Sequence, residues 1–178
     1  NQSNFKGNSR NYIEKLTNSF NDEIYESIEK LAHDILLAWT EKRTVFICGN
    51  GGSAANAIHF ANDLHYGAGA APGGVGKTSP GIKVDALPSN QGVVTCLAND
   101  IGYDNIFSHQ LQVKGESKDL LIVLSGSGNS GNVLKAIDVS KRIGIKSYAI
   151  IAFSGGECLR IADVPIHFKI NDMQIDGA

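Results

Sequence analysis

Two stretches of this chain repeat one pattern: a short apolar run, a turn of Gly, Ser and Asn, and then a helix-like segment. The first reads TVFICGNGGSAANAIHF (residues 44–60), and the second reads LLIVLSGSGNSGNVLKA (residues 120–136). The apolar runs are continuous rather than alternating, which is typical of strands buried on both faces of a parallel sheet. Two such units predict a doubly wound α/β fold in which both polar turns lie at the carboxyl edge of one sheet.

The rest of the chain fits the same plan. Predicted helices alternate with apolar runs, which indicates a five-stranded, flavodoxin-like parallel sheet. The predicted strands are 44–48, 82–87, 120–124, 147–153 and 164–170, and the predicted helices between them are 53–64, 93–97, 107–113 and 129–143.

A long N-terminal helix precedes the first strand. Apolar residues recur every three or four positions from Ile13 to Ile35, which predicts one amphipathic helix over about residues 12–39. Its apolar stripe needs a partner surface, and another subunit is one candidate. We therefore expect an N-terminal helical segment (1–42) used in oligomerisation and a ligand-binding domain (43–178), within one domain overall.

Composition limits the partners and the compartment. The chain has 178 residues and a formal charge of −2, so bulk charge gives no reason to expect nucleic acid or an anionic membrane as a partner. No apolar run approaches the roughly 18 residues of a membrane span. Three cysteines without C-x-x-C spacing argue against a disulfide framework and favour a reducing cytoplasm.

One string resembles a nucleotide-binding P-loop. Residues 71–78 read APGGVGKT, which would place a triphosphate on Lys77. A working P-loop needs a strand before it and a helix after it, whereas here glycines precede it and Pro80 follows it. We therefore favour a connecting loop, 67–81, over a nucleotide site.

The second polar turn offers a better place for an anion. Ser125, Ser127 and Ser130 supply hydroxyls, Gly126 and Gly128 allow close backbone approach, and the following helix offers unpaired N–H groups. An ordinary Ser or Asn helix cap is the alternative. Three serines among glycines exceed what capping needs, so the turn predicts a phosphate site.

The first polar turn, GNGGSA at 49–54, follows the same logic. Asn50 can hydrogen-bond a sugar hydroxyl, and Ser53 can cap the helix or reach the ligand. His59 and Asp63 follow at i and i+4, hence on one helix face. Such a pair is often only a surface pair, but beside a ligand turn it suits a divalent metal or a base with a polarising partner.

At these residues the chain resembles the sugar isomerase (SIS) domain family, and within it the phosphoheptose isomerases. The matching pieces are GNGGSAANAIHFANDL, LANDIGYDNIFSHQL, LIVLSGSGNSGNVLKAI and DMQI, in family order. The resemblance implies a cytoplasmic homotetramer that converts sedoheptulose 7-phosphate to D-glycero-D-manno-heptose 7-phosphate through an enediol. It also implies a zinc cofactor and a role in heptose supply for lipopolysaccharide or capsule.

The resemblance also implies roles for individual positions. Asp63 would be the catalytic base or a metal ligand, with His59 and Gln174 as the other metal-site positions. Substrate would contact Asn50, Gly51, Gly52, Ser53, Asn99, Asp100, Ser125, Gly126, Ser127, Ser130 and Gln174.

Several positions depart from the family pattern. The family typically has Glu at position 63, Arg at position 67 and Thr at position 126, and it has a His some way after Gln174. Either the given sequence omits a C-terminal helix that carries this His beyond Ala178, or the protein lacks it. The first is favoured because INDMQIDGA resembles the start of a helix. His65 and His109 are distant candidates to replace it. A non-catalytic SIS module that senses a phosphosugar or binds a protein, and an isomerase of another phosphosugar, remain alternatives.

Overall fold

The structure, a computed structural model, describes residues 4–69 and 80–172. Its centre is an all-parallel five-stranded sheet with the order β2-β1-β3-β4-β5, so the predicted doubly wound, flavodoxin-like fold is confirmed. The strands are β1 Val45–Gly49, β2 Val84–Ala86, β3 Leu120–Ser125, β4 Lys146–Ile151 and β5 Val164–His167. Between and after them lie α3 Gly52–His65, α4 Gln91–Ile101, α5 Ser108–Lys114, α6 Gly131–Ile143 and α7 Cys158–Ile161.

Helices cover both faces of the sheet. Successive β1 side chains alternate between two cores: Val45 and Ile47 face α3, whereas Phe46 and Cys48 face α5 and α6. All four residues are at most 1% exposed, which explains why the strand is continuously apolar in sequence. The helix that connects β1 to β2 packs on one face of the sheet, and the helix that connects β3 to β4 packs on the other. The chain therefore leaves the neighbouring strands β1 and β3 towards opposite faces.

The N-terminal helical segment is divided into two helices. These are α1 (Phe5–Asn18) and α2 (Asp22–Thr40), rather than one helix over about 12–39. The side-chain oxygen of Asn21 accepts a hydrogen bond from the Ile24 N–H at 3.0 Å. This N-cap starts a new helix, because it satisfies a donor that a continuous helix would have paired internally.

The apolar stripe of α2 is covered by the chain's own sheet. Ile24, Leu31 and Ala38 are buried in the core that α2 and α3 form with the strands. For this part of the stripe, the partner surface is the chain's own sheet and α3. Phe5 and Ile13 of α1 remain exposed, and the oligomerisation role of segment 1–42 and the boundary at 43 stay predictions.

All three cysteines carry free thiols. Cys48 and Cys158 are buried, and desolvation by burial raises the pKa of Cys158 to about 11. Within residues 4–69 and 80–172, no helix is both long enough and apolar enough to cross a membrane.

Candidate functional site

Strand register places the two polar turns side by side. Gly49 at the end of β1 lies opposite Leu124 of β3, so both turns leave the same edge of the sheet. A Cβ on Gly49 would lie 2.7 Å from the Ser53 Cβ and 2.8 Å from the Leu124 carbonyl oxygen. Glycine therefore lets the start of α3 close onto the end of β3, at the point where ligands bind in this type of sheet.

The serine hydroxyls of the second turn donate no hydrogen bond to any described residue. Ser125 Oγ accepts the Gly128 N–H at 3.2 Å, and Ser127 Oγ accepts the Asn129 N–H at 3.3 Å. Ser130 occupies the N-cap position of α6, but its side chain makes no capping hydrogen bond. A serine hydroxyl can donate one hydrogen bond as well as accept, so this geometry leaves three donors available.

The serine turn is fixed from behind by the connection between β4 and α7. Gly128 has φ +66°, and a Cβ there would lie 2.0 Å from the Gly155 carbonyl oxygen. The Cys158 N–H donates to the Gly128 carbonyl at 2.9 Å, and the Ala152 N–H donates to the Gly126 carbonyl at 3.0 Å. The turn is thus preorganised at the N-terminus of the 13-residue helix α6, where the helix dipole favours an anion.

One face of α3 lines a cavity of about 510 Å³ at this edge. Ser53, Asn56, His59 and Asp63 all contribute to its wall, at the three- and four-residue spacing of one helix face. His59 Nε2 lies 3.7 Å from Asp63 Oδ2, and both side chains are exposed. The N-cap position of α3 is Gly51, so Ser53 does not cap the helix. Its side chain lines the cavity instead.

The serine turn opens into the same cavity. Ser125 and Gly126 line it together with the α3 face, whereas Ser127 and Ser130 do not, so the start of the serine turn and the His59–Asp63 pair share one space. Apolar side chains complete its walls, among them Phe20 and Phe168, whose rings meet edge to face at 5.3 Å. Sequence reasoning missed this apolar wall because its residues come from distant segments.

Some predicted site residues lie elsewhere. Asn50, Gly51 and Gly52 of the first turn do not line the cavity. Asn99 and Asp100 are exposed on α4, hydrogen-bonded to each other at 2.7 Å, and do not line the cavity. Neither His65 nor His109 lines it, and His109 borders a separate cavity between α5 and α6. Gln174 and the string 71–78 with Lys77 lie outside the described residues.

Asn50 is tied into the protein by both ends of its amide. Its Nδ2 donates to Asn132 Oδ1 at 2.9 Å, and its Oδ1 accepts from Asn132 Nδ2 at 2.8 Å. The Tyr103 hydroxyl donates to the same Oδ1 at 2.9 Å. Asn132 and Tyr103 both belong to the motifs that carry the family resemblance. Nothing in the sequence indicates that they contact Asn50, since Asn132 lies 82 residues from it.

The His59–Asp63 pair has the right donor types for zinc. Imidazole nitrogen and carboxylate oxygen are common zinc ligands, and a catalytic zinc needs three protein ligands. Within the part of the chain that the structure describes, no cluster of three or more His, Cys, Asp or Glu is arranged to hold a metal. The residues present therefore fit two positions of a zinc site.

Fold and site together define the chain as a flavodoxin-like α/β domain with a serine-rich turn between a central strand and a helix N-terminus. The SIS domain family profile matches residues 10–154. The chain belongs to the SIS domain family, in the group of the phosphoheptose isomerases.

Sequence relatives and solved structures agree with this assignment. The phosphoheptose isomerase of Vibrio vulnificus is 38% identical over 154 residues, which are 85% of this chain and 76% of the relative. That of Sulfurimonas denitrificans is 35% identical over 146 residues, 82% of this chain and 71% of the relative.

Two solved structures share the fold. Phosphoheptose isomerase GmhA from Neisseria gonorrhoeae has a TM-score of 0.84 at 24% identity, covering 99% of this chain and 90% of that one. A phosphoheptose isomerase from Francisella tularensis has a TM-score of 0.85 at 22% identity, covering 97% and 88%.

Proposed function

We propose that this chain is an aldose–ketose isomerase that converts sedoheptulose 7-phosphate to D-glycero-D-manno-heptose 7-phosphate. The observation that carries the proposal is the shared cavity: the serine turn and the His59–Asp63 pair open into one space. A heptose 7-phosphate has its phosphate and its reacting carbons at opposite ends. It therefore needs two separated sets of groups, as this site provides.

Among the described residues, no Lys or Arg lines the cavity at the phosphate end. Ser125, Ser127 and Ser130 donate hydroxyl protons, and the first backbone N–H groups of α6 add to them. The nearest lysine of α6, Lys135, is engaged elsewhere, since its ammonium lies 3.1 Å from Asn105 Oδ1 and 3.8 Å from Asp104 Oδ2. Neutral donors and the helix dipole supply the affinity.

At the other end, the reaction moves one proton between neighbouring carbons. Asp63 removes a proton from C1 of the ketose, the freed electron pair forms the C1=C2 bond, and the C2 carbonyl pair moves onto O2, which takes up a proton to give the enediol. The O1 hydroxyl then loses its proton, its electron pair forms the C1 carbonyl, and the C1=C2 pair takes up a proton at C2. Asp63 and His59 lie on the cavity wall and can reach a sugar held by the serine turn. Zinc, held by His59 and Asp63 with Gln174, would polarise the carbonyl when bound.

Assembly and location form part of the proposal. Exposed apolar side chains on α1 and α2, including Phe5, Ile13, Tyr25 and Leu36, support a homotetramer. Three free thiols support the cytoplasm. Heptose supply for lipopolysaccharide or capsule is the role that the resemblance implies.

The test follows formation of the aldose from sedoheptulose 7-phosphate by the full chain, with and without zinc. We expect turnover by the unmodified protein and a fall in kcat of about 10²–10⁴-fold in Asp63→Asn, because a positioned base contributes that much. Asp138→Asn, on the exposed face of α6, is the control and should keep full activity. Binding of the ketose without turnover by the metal-replete protein would favour a phosphosugar-sensing module instead.

A further inference from the structure

The amide pair formed by Asn50 and Asn132 joins the two halves of the site. We propose that this pair, with Tyr103, is a positioning device that fixes the distance between the phosphate-binding turn and the helix that carries His59 and Asp63. The inference rests on the proposed function, since it concerns how one substrate spans both halves. None of these three residues lines the cavity, so they act through the two helix starts that they join.

The hydrogen bonds use the amide of Asn50 almost completely. Its oxygen accepts from two donors, Asn132 Nδ2 at 2.8 Å and the Tyr103 hydroxyl at 2.9 Å. One of its two N–H bonds donates to Asn132 at 2.9 Å. A carbonyl oxygen has two lone pairs, so the oxygen of Asn50 is fully occupied and is not available to a sugar hydroxyl.

The pair connects the starts of two helices. Asn50 lies two residues before α3, and Asn132 is the second residue of α6 and only 1% exposed. Reciprocal amide bonds allow little rotation or sliding, because either movement breaks both at once. The pair therefore sets where α3, with its catalytic face, begins relative to the anion end of α6.

The third member is also anchored to α6. Tyr103 belongs to a short 3₁₀ turn, Tyr103–Asn105, next to the N-terminus of that helix. Asn105 Oδ1 accepts from Lys135 Nζ at 3.1 Å, and the Asp104 carboxylate approaches Gly131, where a built Cβ would lie 2.8 Å from its Oδ1. The hydroxyl of Tyr103 is thus presented to Asn50 from a fixed support.

A fixed separation matters for turnover more than for holding phosphate. Inorganic phosphate contacts only the serine turn, whereas a heptose phosphate must also place C1 and C2 at Asp63. A displacement of about 1 Å at the reacting atoms can cost roughly 10²-fold in rate. Loss of the pair should therefore lower kcat while the affinity for inorganic phosphate stays unchanged.

The experiment measures kcat and KM with sedoheptulose 7-phosphate and the inhibition constant of inorganic phosphate, in the full chain. We expect Asn132→Ala to lower kcat about tenfold or more and Tyr103→Phe about fivefold, the value of one hydrogen bond. In both variants the phosphate inhibition constant should stay within about twofold. Tyr103→Phe keeps the exposed ring and removes only the hydroxyl, so it tests the inference even if Asn132→Ala fails to fold.

The double variant and a matched control complete the design. Tyr103→Phe added to Asn132→Ala should cost less than it does alone, since both act on one amide. Gln110→Ala removes another buried amide, which donates to the carbonyls of Leu87 and Ile106, and should lower stability but leave kcat unchanged. An unchanged kcat in Tyr103→Phe and Asn132→Ala, or a phosphate inhibition constant that rises with the loss of kcat, would overturn the inference.

Failure of the proposed function gives a different result. If the unmodified protein binds sedoheptulose 7-phosphate but does not turn it over, isomerisation is refuted while the positioning role is still tested by binding. The variants should then lose the extra affinity of the heptose phosphate over inorganic phosphate. Retention of that extra affinity in Asn132→Ala and Tyr103→Phe would refute the positioning role alone.

Discussion

At the scale of single residues, the shape of the serine turn depends on Gly128. Its φ of +66° and the 2.0 Å that would separate a Cβ from the Gly155 carbonyl leave no room for a side chain. Gly128→Ala should cost about 2–4 kcal/mol in the free energy of unfolding, from backbone strain and overpacking together. Urea denaturation measures the loss, and phosphate inhibition should weaken because the hydroxyls move.

Gly92→Ala is the matched control for that substitution. Gly92 lies in the first turn of α4, where a Cβ would meet only Asn90 Oδ1, at 3.4 Å. Alanine there should leave stability unchanged or raise it by about 0.5–1 kcal/mol, since it restricts the unfolded chain. Equal losses in the two variants would contradict the special role given to Gly128.

The place of the serine turn at the carboxyl edge of the sheet could be predicted from sequence, whereas the partners of Asn50 could not. Ser125, Ser127 and Ser130 stand together in one turn, and the glycines around them indicate why. Asn50 was expected to contact the sugar because it follows a strand in a polar turn. Its hydrogen-bond partners come from α6 and from the turn at Tyr103, and no local sequence pattern predicts that these segments lie beside Asn50.

At the scale of elements, Asp34 links α2 to the sheet. Its Oδ2 lies 2.8 Å from the Tyr148 hydroxyl and 2.7 Å from Lys146 Nζ, both on β4. Asp34→Ala should destabilise the fold by about 1–3 kcal/mol, because it leaves a part-buried hydroxyl without its acceptor. Asp34→Asn, which keeps an acceptor for Tyr148, should lose less in the same urea measurement.

An exposed ion pair provides the comparison. Asp138 and Arg142 lie one turn apart on α6 at 2.9 Å, with both side chains more than 60% exposed. Asp138→Ala should change stability by less than about 0.5 kcal/mol, since solvent screens such pairs. A loss as large as that of Asp34→Ala would mean that burial is not what distinguishes the two sites.

At acidic pH, the contribution of Asp34 to the free energy of unfolding should disappear. Desolvation alone would raise the pKa of this carboxyl, but hydrogen bonds from Lys146 and Tyr148 outweigh it and lower the pKa below 3.8. The stabilisation is therefore complete above pH 3.8 and is lost as the pH falls below it, through the lowered pKa. The stability difference between unmodified protein and Asp34→Asn should be constant from about pH 5 to 7 and shrink towards pH 3.

The sequence predicted which segments form helices and strands better than it predicted where each one begins and ends. Apolar runs predicted all five strands because buried parallel strands need apolar residues on both faces. The division at Asn21 was missed, although the sequence carries its signal: Asn followed by Asp22 and Glu23, an N-cap before acidic residues. The apolar residues keep their three- and four-residue spacing across the boundary between α1 and α2, so the spacing alone predicts one continuous helix.

At the scale of the whole molecule, the fold brings together groups that are far apart in the chain. The cavity takes residues from both turns, from α1 and α2, and from the segment after β5. A ligand that bridges the serine turn and α3 binds only the folded chain, so binding and folding are linked.

Binding of the substrate should raise the thermal stability of the chain. At 100 times its Kd, a ligand adds about 2.7 kcal/mol, which for a domain of this size raises Tm by roughly 5–10 °C. Sedoheptulose 7-phosphate should produce this rise in thermal unfolding, and unphosphorylated sedoheptulose should not, because it lacks the phosphate group that we propose the serine turn binds. Ser127→Ala should keep the Tm of the ligand-free protein, since Ser127 is exposed and holds only the Asn129 N–H, yet lose much of the rise. An equal rise with the unphosphorylated sugar would show that the apolar cavity, rather than the serine turn, provides the binding energy.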